Sequence, residues 1–299
     1  MKKYIWINIA LFISSCYLDT SDSSKNWNKG DISNENGISI QHDGIDREYV
    51  LHIPSSYDGY SSVPLIFNFH GGGGTATGQM YISEMNLVAD TAGFIVVYPQ
   101  GSNYDNGVSH WNSMIATEDN KSTADDIGFV SLLIDEISSN YNIDVERVYA
   151  CGYSNGADFS ISLACYLSDK ISAVSSVSGL MSSESDSICN PLENTGILMF
   201  NGTSDGARPY IGIDNYYLSV ESALQYWSIY HNTDSIKIEN FIDNNGNDIE
   251  RYKYINSDGL SFVEHYKIIN GGHDWFDLNY EGFNIDEIIW SFFSKPNLN

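Results

Sequence analysis

The chain has 299 residues, with 14 Lys or Arg against 39 Asp or Glu and a formal net charge of −25. So few cations exclude a generic nucleic-acid binder and a polybasic membrane-surface protein, since both need a basic face. Hydrophobic residues at 42% and aromatic residues at 13% exclude disorder, because such a chain can bury a core.

The N-terminus reads as a leader. Lys2 and Lys3 precede an apolar run from Tyr4 to Ile13 that ends in Ser14-Ser15-Cys16. A charged start, a short apolar run and small residues predict a signal peptide over residues 1–16. The run is too short to span a bilayer, which takes about 20 residues. Ile13-Ser14-Ser15-Cys16 also has the form of a bacterial lipobox, with Cys16 as a possible lipid anchor to the membrane. Ordinary cleavage and free secretion is the alternative. Residues 17–36, rich in Ser, Asp, Asn and Lys, read as a flexible tether. That leaves 37–299 as one folded domain. Beyond Cys16 the cysteines are Cys151, Cys165 and Cys189. In an oxidising compartment Cys165 and Cys189 are the favoured pair, and Cys151, inside an apolar run, is a small buried hydrophobe.

From residue 37 onward, strands and helices alternate. Glu48–Ile53 alternates like a half-buried strand, and Pro64–Phe69 and Phe94–Tyr98 are apolar runs of the kind buried in parallel sheets. Between those two runs, Tyr81–Thr91 predicts a helix ending at Gly93. Asp125–Tyr141 is a helix, opened by two aspartates and striped by Ile127, Val130, Leu133, Ile134 and Ile137. Strands follow at Arg147–Cys151, Ala173–Val177, Gly196–Phe200 and Phe262–Ile269, and helices at Asn155–Leu167, Val220–Tyr230 and Asp286–Phe293. Asn244–Asp248 reads as a surface turn. The fold class is therefore α/β: a mostly parallel central sheet with helices on both faces.

The chemistry begins at Gly152-Tyr153-Ser154-Asn155-Gly156, a G-x-S-x-G elbow. A second match, Gly202-Thr203-Ser204-Asp205-Gly206, follows a strand but opens no helix. Ser154 follows a strand and opens an apolar-striped helix, so it is the candidate nucleophile and Ser204 a loop residue. A serine needs a base, and in this architecture the order is Ser, acid, His. His231 lies just past a helix and His265 inside a strand, where a packed residue is the better reading. His273 follows Gly271-Gly272 on the loop after the last strand and is the candidate base. Asp205 lies just after a strand and is the candidate acid, with Asp214 and Asp274 as alternatives. His70-Gly71-Gly72-Gly73-Gly74 follows another strand, and its glycines suit an oxyanion hole. Gly72 N–H and Asn155 N–H are the expected donors, and His70 is expected to be structural. Trp111, Trp275 and Phe276 are candidates for lining an apolar acyl site. The histidines are too scattered for a metal motif, so neither a metal nor a cofactor is expected.

With these residues assembled, the chain resembles the secreted polyhydroxybutyrate depolymerase/feruloyl esterase family of α/β hydrolases over about residues 45–295. The resemblance rests on His70-Gly71, Phe94–Pro99, Trp111-Asn112, Asp125–Val130, Arg147-Val148-Tyr149 and Gly152–Ala157. Leu163-Ala164-Cys165, Gly202–Asp205, Gly272–Trp275 and Trp290–Phe293 complete it. It implies an α/β-hydrolase catalytic domain, a triad of Ser154, Asp205 and His273, and a Cys165–Cys189 disulfide. The family's histidine motif usually ends in Trp-Pro, but Trp275 is followed here by Phe276. The family often carries further cysteines, and this chain has none after Cys189.

The expected activity is two-step acyl transfer on an ester. Feruloyl or other acyl esters of plant polysaccharide come first, and polyhydroxybutyrate or a related polyester second. A non-catalytic surface binding protein is the reading from another class, and it has no need of nucleophile, base, acid and oxyanion loop together. No nucleic-acid partner is expected, and the protein is expected to be a secreted or surface-tethered monomer.

Overall fold

The computed structural model describes residues 37–113 and 122–298, apart from the side chains of 186–188 and 297. The predicted leader, tether and Cys16 lie outside the described residues. In chain order the elements begin with β1 (Ile38–His42), β2 (Ile45–His52), β3 (Val63–Phe69), α1 (Ala76–Ser83), α2 (Met85–Ala92) and β4 (Ile95–Pro99). They continue with β5 (Ser102–Asn103), β6 (Ser109–His110), α3 (Asp126–Asn140), β7 (Ile143–Tyr153), α4 (Asn155–Tyr166), β8 (Ala173–Val177) and α5 (Ser183–Ile188). Last come β9 (Gly196–Gly202), α6 (Val220–Tyr230), β10 (Thr233–Ile242), β11 (Asp248–Asn256), β12 (Val263–Ile268) and α7 (Ile285–Phe293).

Ten strands form one sheet in the order β1-β2-β4-β3-β7-β8-β9-β12-β11-β10. The six central strands, β4 to β12, run parallel, and the two edges are closed by antiparallel strands. The parallel strands lose water on both faces over most of their length, as parallel sheets must, and most of their buried side chains are apolar. One face packs against α3, α4 and α6 and the other against α1, α2 and α7, giving two separate cores. The single α/β domain expected from the alternation is thus observed.

Local chemistry explains the helix boundaries. Asp125 caps α3, its carboxylate accepting the Gly128 N–H at 2.9 Å, and Phe129, Val130, Leu133, Ile134 and Ile137 form the buried stripe. Asn284 and Glu287 cap α7 reciprocally. The single helix expected over Tyr81–Thr91 is instead two. Glu84 adopts a left-handed conformation (φ 52°), which ends α1 and starts α2. The β10–β11 hairpin was not expected either, although its turn was. Asp243 holds that turn by accepting the Asn245 and Asn247 N–H groups at 3.0 and 2.8 Å.

Candidate active site

Four loops meet at the carboxyl ends of β3, β7, β9 and β12. The parallel register aligns those ends, pairing Phe69 with Gly152 and Gly202 with Ile268. This is where α/β sheets gather functional groups.

Ser154 sits on the turn from β7 into α4 at φ 53° and ψ −118°. A non-glycine residue there costs about 1–3 kcal/mol and persists only where its surroundings overdetermine it. They do so here. The Ser154 N–H donates to Val177 O at 3.0 Å, and its carbonyl accepts from Ala157 and Asp158 at 2.9 Å each. The flanking glycines allow the close approach. A Cβ on Gly152 would lie 2.4 Å from Gly156 O, and one on Gly156 would lie 2.5 Å from the carbonyls of both His70 and Phe69.

The loop after β12 brings His273 to the serine. Its Nε2 is 2.8 Å from Ser154 Oγ, and its Nδ1 is 2.8 Å from Asp205 Oδ2. The loop is pinned from behind: Tyr153 OH donates to His273 O at 2.7 Å, and Ser178 Oγ to Asp274 O at 2.7 Å. Asp205, on the loop after β9, has a side chain 1% exposed. Its other oxygen accepts the Ala207 and Arg208 N–H groups at 2.8 and 2.7 Å. Arg208 in turn clasps the buried Asp158 of α4 through Nη2 and Nε, at 2.7 and 3.0 Å. The acid loop is thereby tied to the helix that starts at the serine. Sequence reasoning missed this pair, since nothing local to either residue signals the other.

The glycine loop lies against the elbow. A Cβ on Gly72 would stand 3.8 Å from Asn155 Cβ, and one on Gly71 would stand 3.4 Å from Ser154 Cβ. Asn155 opens α4, so its N–H has no carbonyl a turn earlier to bind. His70 holds the loop in shape. Its Nε2 accepts the Gly101 N–H at 2.9 Å, which places the proton on Nδ1, facing Gly71 O at 2.7 Å. Burial lowers its pKa to about 4, so the ring stays neutral as a structural hydrogen-bond relay.

Trp111 and Phe276 do not line an open acyl site. Trp111 is 2% exposed, stacks on Phe159 and donates its indole N–H to His70 O at 2.9 Å. Phe276, 6% exposed, belongs to the core under α7. Both are apolar groups drawn inward by core packing. Trp275 stays partly exposed, with its indole N–H 3.4 Å from Asp286 Oδ2. The other histidines and acids stand apart: His231 donates its Nε2–H to Thr195 O at 2.9 Å, His265 is fully buried in β12, and Asp274 is exposed. Cys165 and Cys189 form a disulfide, and Cys151 is a buried free thiol. Among the described residues no group of three metal-binding side chains occurs, and no helix is long and apolar enough to cross a membrane.

A strained serine on a strand-turn-helix elbow, within a mostly parallel sheet covered on both faces, defines an α/β hydrolase. Residues 47–205 match the esterase PHB depolymerase family, and the chain belongs to it. It is 31% identical over 168 residues to feruloyl esterase B of Piromyces equi, covering 56% of this chain and 30% of that protein. It is 27% identical over 262 residues to the probable feruloyl esterase C of Aspergillus niger, covering 83% of each. The chain spans less than a third of the Piromyces relative and 23% of a bifunctional acetylxylan esterase/xylanase from Neocallimastix patriciarum. Among solved structures, an acetyl xylan esterase from Aspergillus awamori superposes with a TM-score of 0.63 at 14% identity, over 86% of this chain and 98% of that one. That likeness is one of fold.

Proposed function

We propose that the protein is a serine carboxylic-ester hydrolase acting on acyl esters of plant polysaccharide. The observation that carries this reading is His273 bridging Ser154 Oγ and Asp205 at 2.8 Å on either side. In this reading His273 Nε2 takes the serine proton as Oγ attacks the ester carbonyl. Asp205 holds Nδ1–H, fixes the tautomer and stabilises the imidazolium. The N–H groups of Gly72 and Asn155 receive the oxyanion. His273 then returns its proton to the departing alcohol. Water, activated by the same histidine, hydrolyses the acyl-enzyme. The feruloyl esterase and acetylxylan esterase names among the relatives support polysaccharide-linked esters. The family's own name keeps a polyester as the second reading.

The test is a panel of p-nitrophenyl acetate, methyl ferulate, acetylated xylan and polyhydroxybutyrate film, with Ser154→Ala beside the wild type. Turnover of methyl ferulate or acetylated xylan that vanishes in the variant is the expected result. Inactivity on all four, or equal activity in the variant, overturns the esterase reading. Turnover of the film alone selects the polyester.

Export belongs to the same proposal. The Lys2–Cys16 pattern and the Cys165–Cys189 disulfide both suit an oxidising compartment. If Cys16 carries lipid, labelled palmitate enters the protein expressed in a bacterium and is lost in Cys16→Ser. Label absent from the wild type leaves free secretion.

A further inference from the structure

The last strand of the sheet, β10, presents an open edge, since β11 is its sole neighbour in the sheet order among the described residues. It is ten residues long and contains no proline; of the features that blunt such edges it carries Lys237 and a bulge between Thr233 and Ser235, at the start of the strand. On the face shared with α6 it carries Ile236 and Ile238, 52% and 53% exposed, and Ile229 at the end of α6 is 67% exposed. On the opposite face Lys237 and Glu239 alternate and pair with each other at 2.7 Å.

We infer that this edge is the seat of a second copy of the chain, joined by antiparallel β10–β10 pairing about a two-fold axis at Ile238. In an antiparallel pair, opposite residues share a face, so a two-fold axis must pass between the two copies of a single residue. Centred on Lys237, the pairing sets lysine against lysine. Centred on Glu239, it sets glutamate against glutamate. Centred on Ile238, it sets Lys237 against Glu239 of the partner subunit twice over, and it packs the two Ile238 side chains together. Opposite charges across strands stabilise and like charges destabilise, so of these three registers the charge pattern selects the one centred on Ile238. The same register sets Ile236 against Asn240 of the partner subunit. Main-chain hydrogen bonds along the edge would supply most of the attraction, as in β-augmentation. The sheet would then run on from one protomer into the other. The catalytic loops, at the carboxyl ends of β3 to β12, stay clear of this edge.

The experiment is sedimentation equilibrium of the full chain in physiological salt. The wild type is expected at twice the protomer mass. Lys237→Glu and Glu239→Lys, each creating like-charge contacts, should weaken the dimer about tenfold or more. The double exchange restores opposite charges and should recover wild-type association. Under mild oxidation Ile238→Cys should cross-link two chains and Ile236→Cys should not, since Ile236 faces Asn240 of the partner subunit. A monomeric wild type, a double exchange no better than either single variant, or equal cross-linking at both positions overturns the inference.

Discussion

The Asn155 side chain grips the Trp111 backbone at both ends, its Oδ1 accepting the Trp111 N–H at 2.7 Å and its Nδ2 donating to Trp111 O at 3.1 Å. Trp111 in turn binds His70 O. The next residue, Asn112, donates its N–H to Asp126 Oδ2 at 2.8 Å, and Arg47 holds Asp126 Oδ1 at 2.6 Å. Asn155, the residue after Ser154, is therefore coupled to the glycine loop that faces it, through a chain of polar contacts. In the proposed mechanism those two elements form the oxyanion hole, so the chain keeps its donors aimed.

This coupling predicts the effect of Asn155→Ala. The variant keeps the backbone N–H and loses only the grip. An oxyanion donor is worth about 100–1000-fold in rate, so a misaimed donor should cost roughly tenfold in kcat. Steady-state kinetics on p-nitrophenyl acetate decides this. A kcat unchanged within error would mean that the Trp111 segment holds its place without Asn155.

Removing Ser154 or His273 should lower kcat by about 10⁴-fold or more, and the double variant should lose little beyond either single one, because the two act as a unit. Asp205→Asn should cost about 10⁴-fold by favouring the wrong tautomer. Additive losses would show that the three residues work separately.

Breaking the Arg208–Asp158 pair should be costly for stability. Asp158 has a fully buried side chain, and Arg208→Ala leaves its charge unmatched, at about 3–5 kcal/mol. Chemical denaturation measures the loss. Restoration in Arg208→Leu/Asp158→Leu would identify the cost as that of a stranded charge, whereas further loss would identify it as packing.

Three buried histidines predict acid sensitivity. Burial lowers His70 and His231 to about 4 and His265 to about 3. In the unfolded chain each ionises near 6.5, so below that pH the unfolded state binds more protons. Their contribution to stability is complete above about pH 6.5 and drains away as pH falls toward about 4, by up to about 1.4 kcal/mol per pH unit for each ring. Urea midpoints between pH 7 and 4.5 should fall steeply, and less steeply in His231→Phe. A flat profile would contradict the buried, neutral state of these rings.

Reduction of Cys165–Cys189, which closes a separation of 24 residues, should cost about 3 kcal/mol. Comparing melting with and without reductant checks it. An unchanged midpoint would mean that packing alone holds α4 to the loop after α5.

The parallel strands, the capped helices and the elbow were legible because each is written locally. Runs such as Phe94–Tyr98 can only be doubly buried, Asp125 can only cap the helix that begins beside it, and Ser154 stands between glycines that permit its turn. The β10–β11 hairpin was not legible. Its strands mix Ile with Lys, Glu and Asn because β10 lies at an open edge, where burial does not select side chains.

The amino-acid order by itself determined the sheet type, the serine that stands proud, and the histidine and aspartate placed beyond later strands. Period and turn chemistry are properties of neighbours in the chain. Only the tertiary structure decided which distant groups meet. It sent Trp111 and Phe276 inward, matched Arg208 with Asp158 fifty residues away, and linked Arg47 through Asp126 and Asn112 to the elbow. Those partners are chosen by desolvation: a buried carboxylate or amide must find a donor or acceptor wherever the fold brings one, and no local pattern records where that will be.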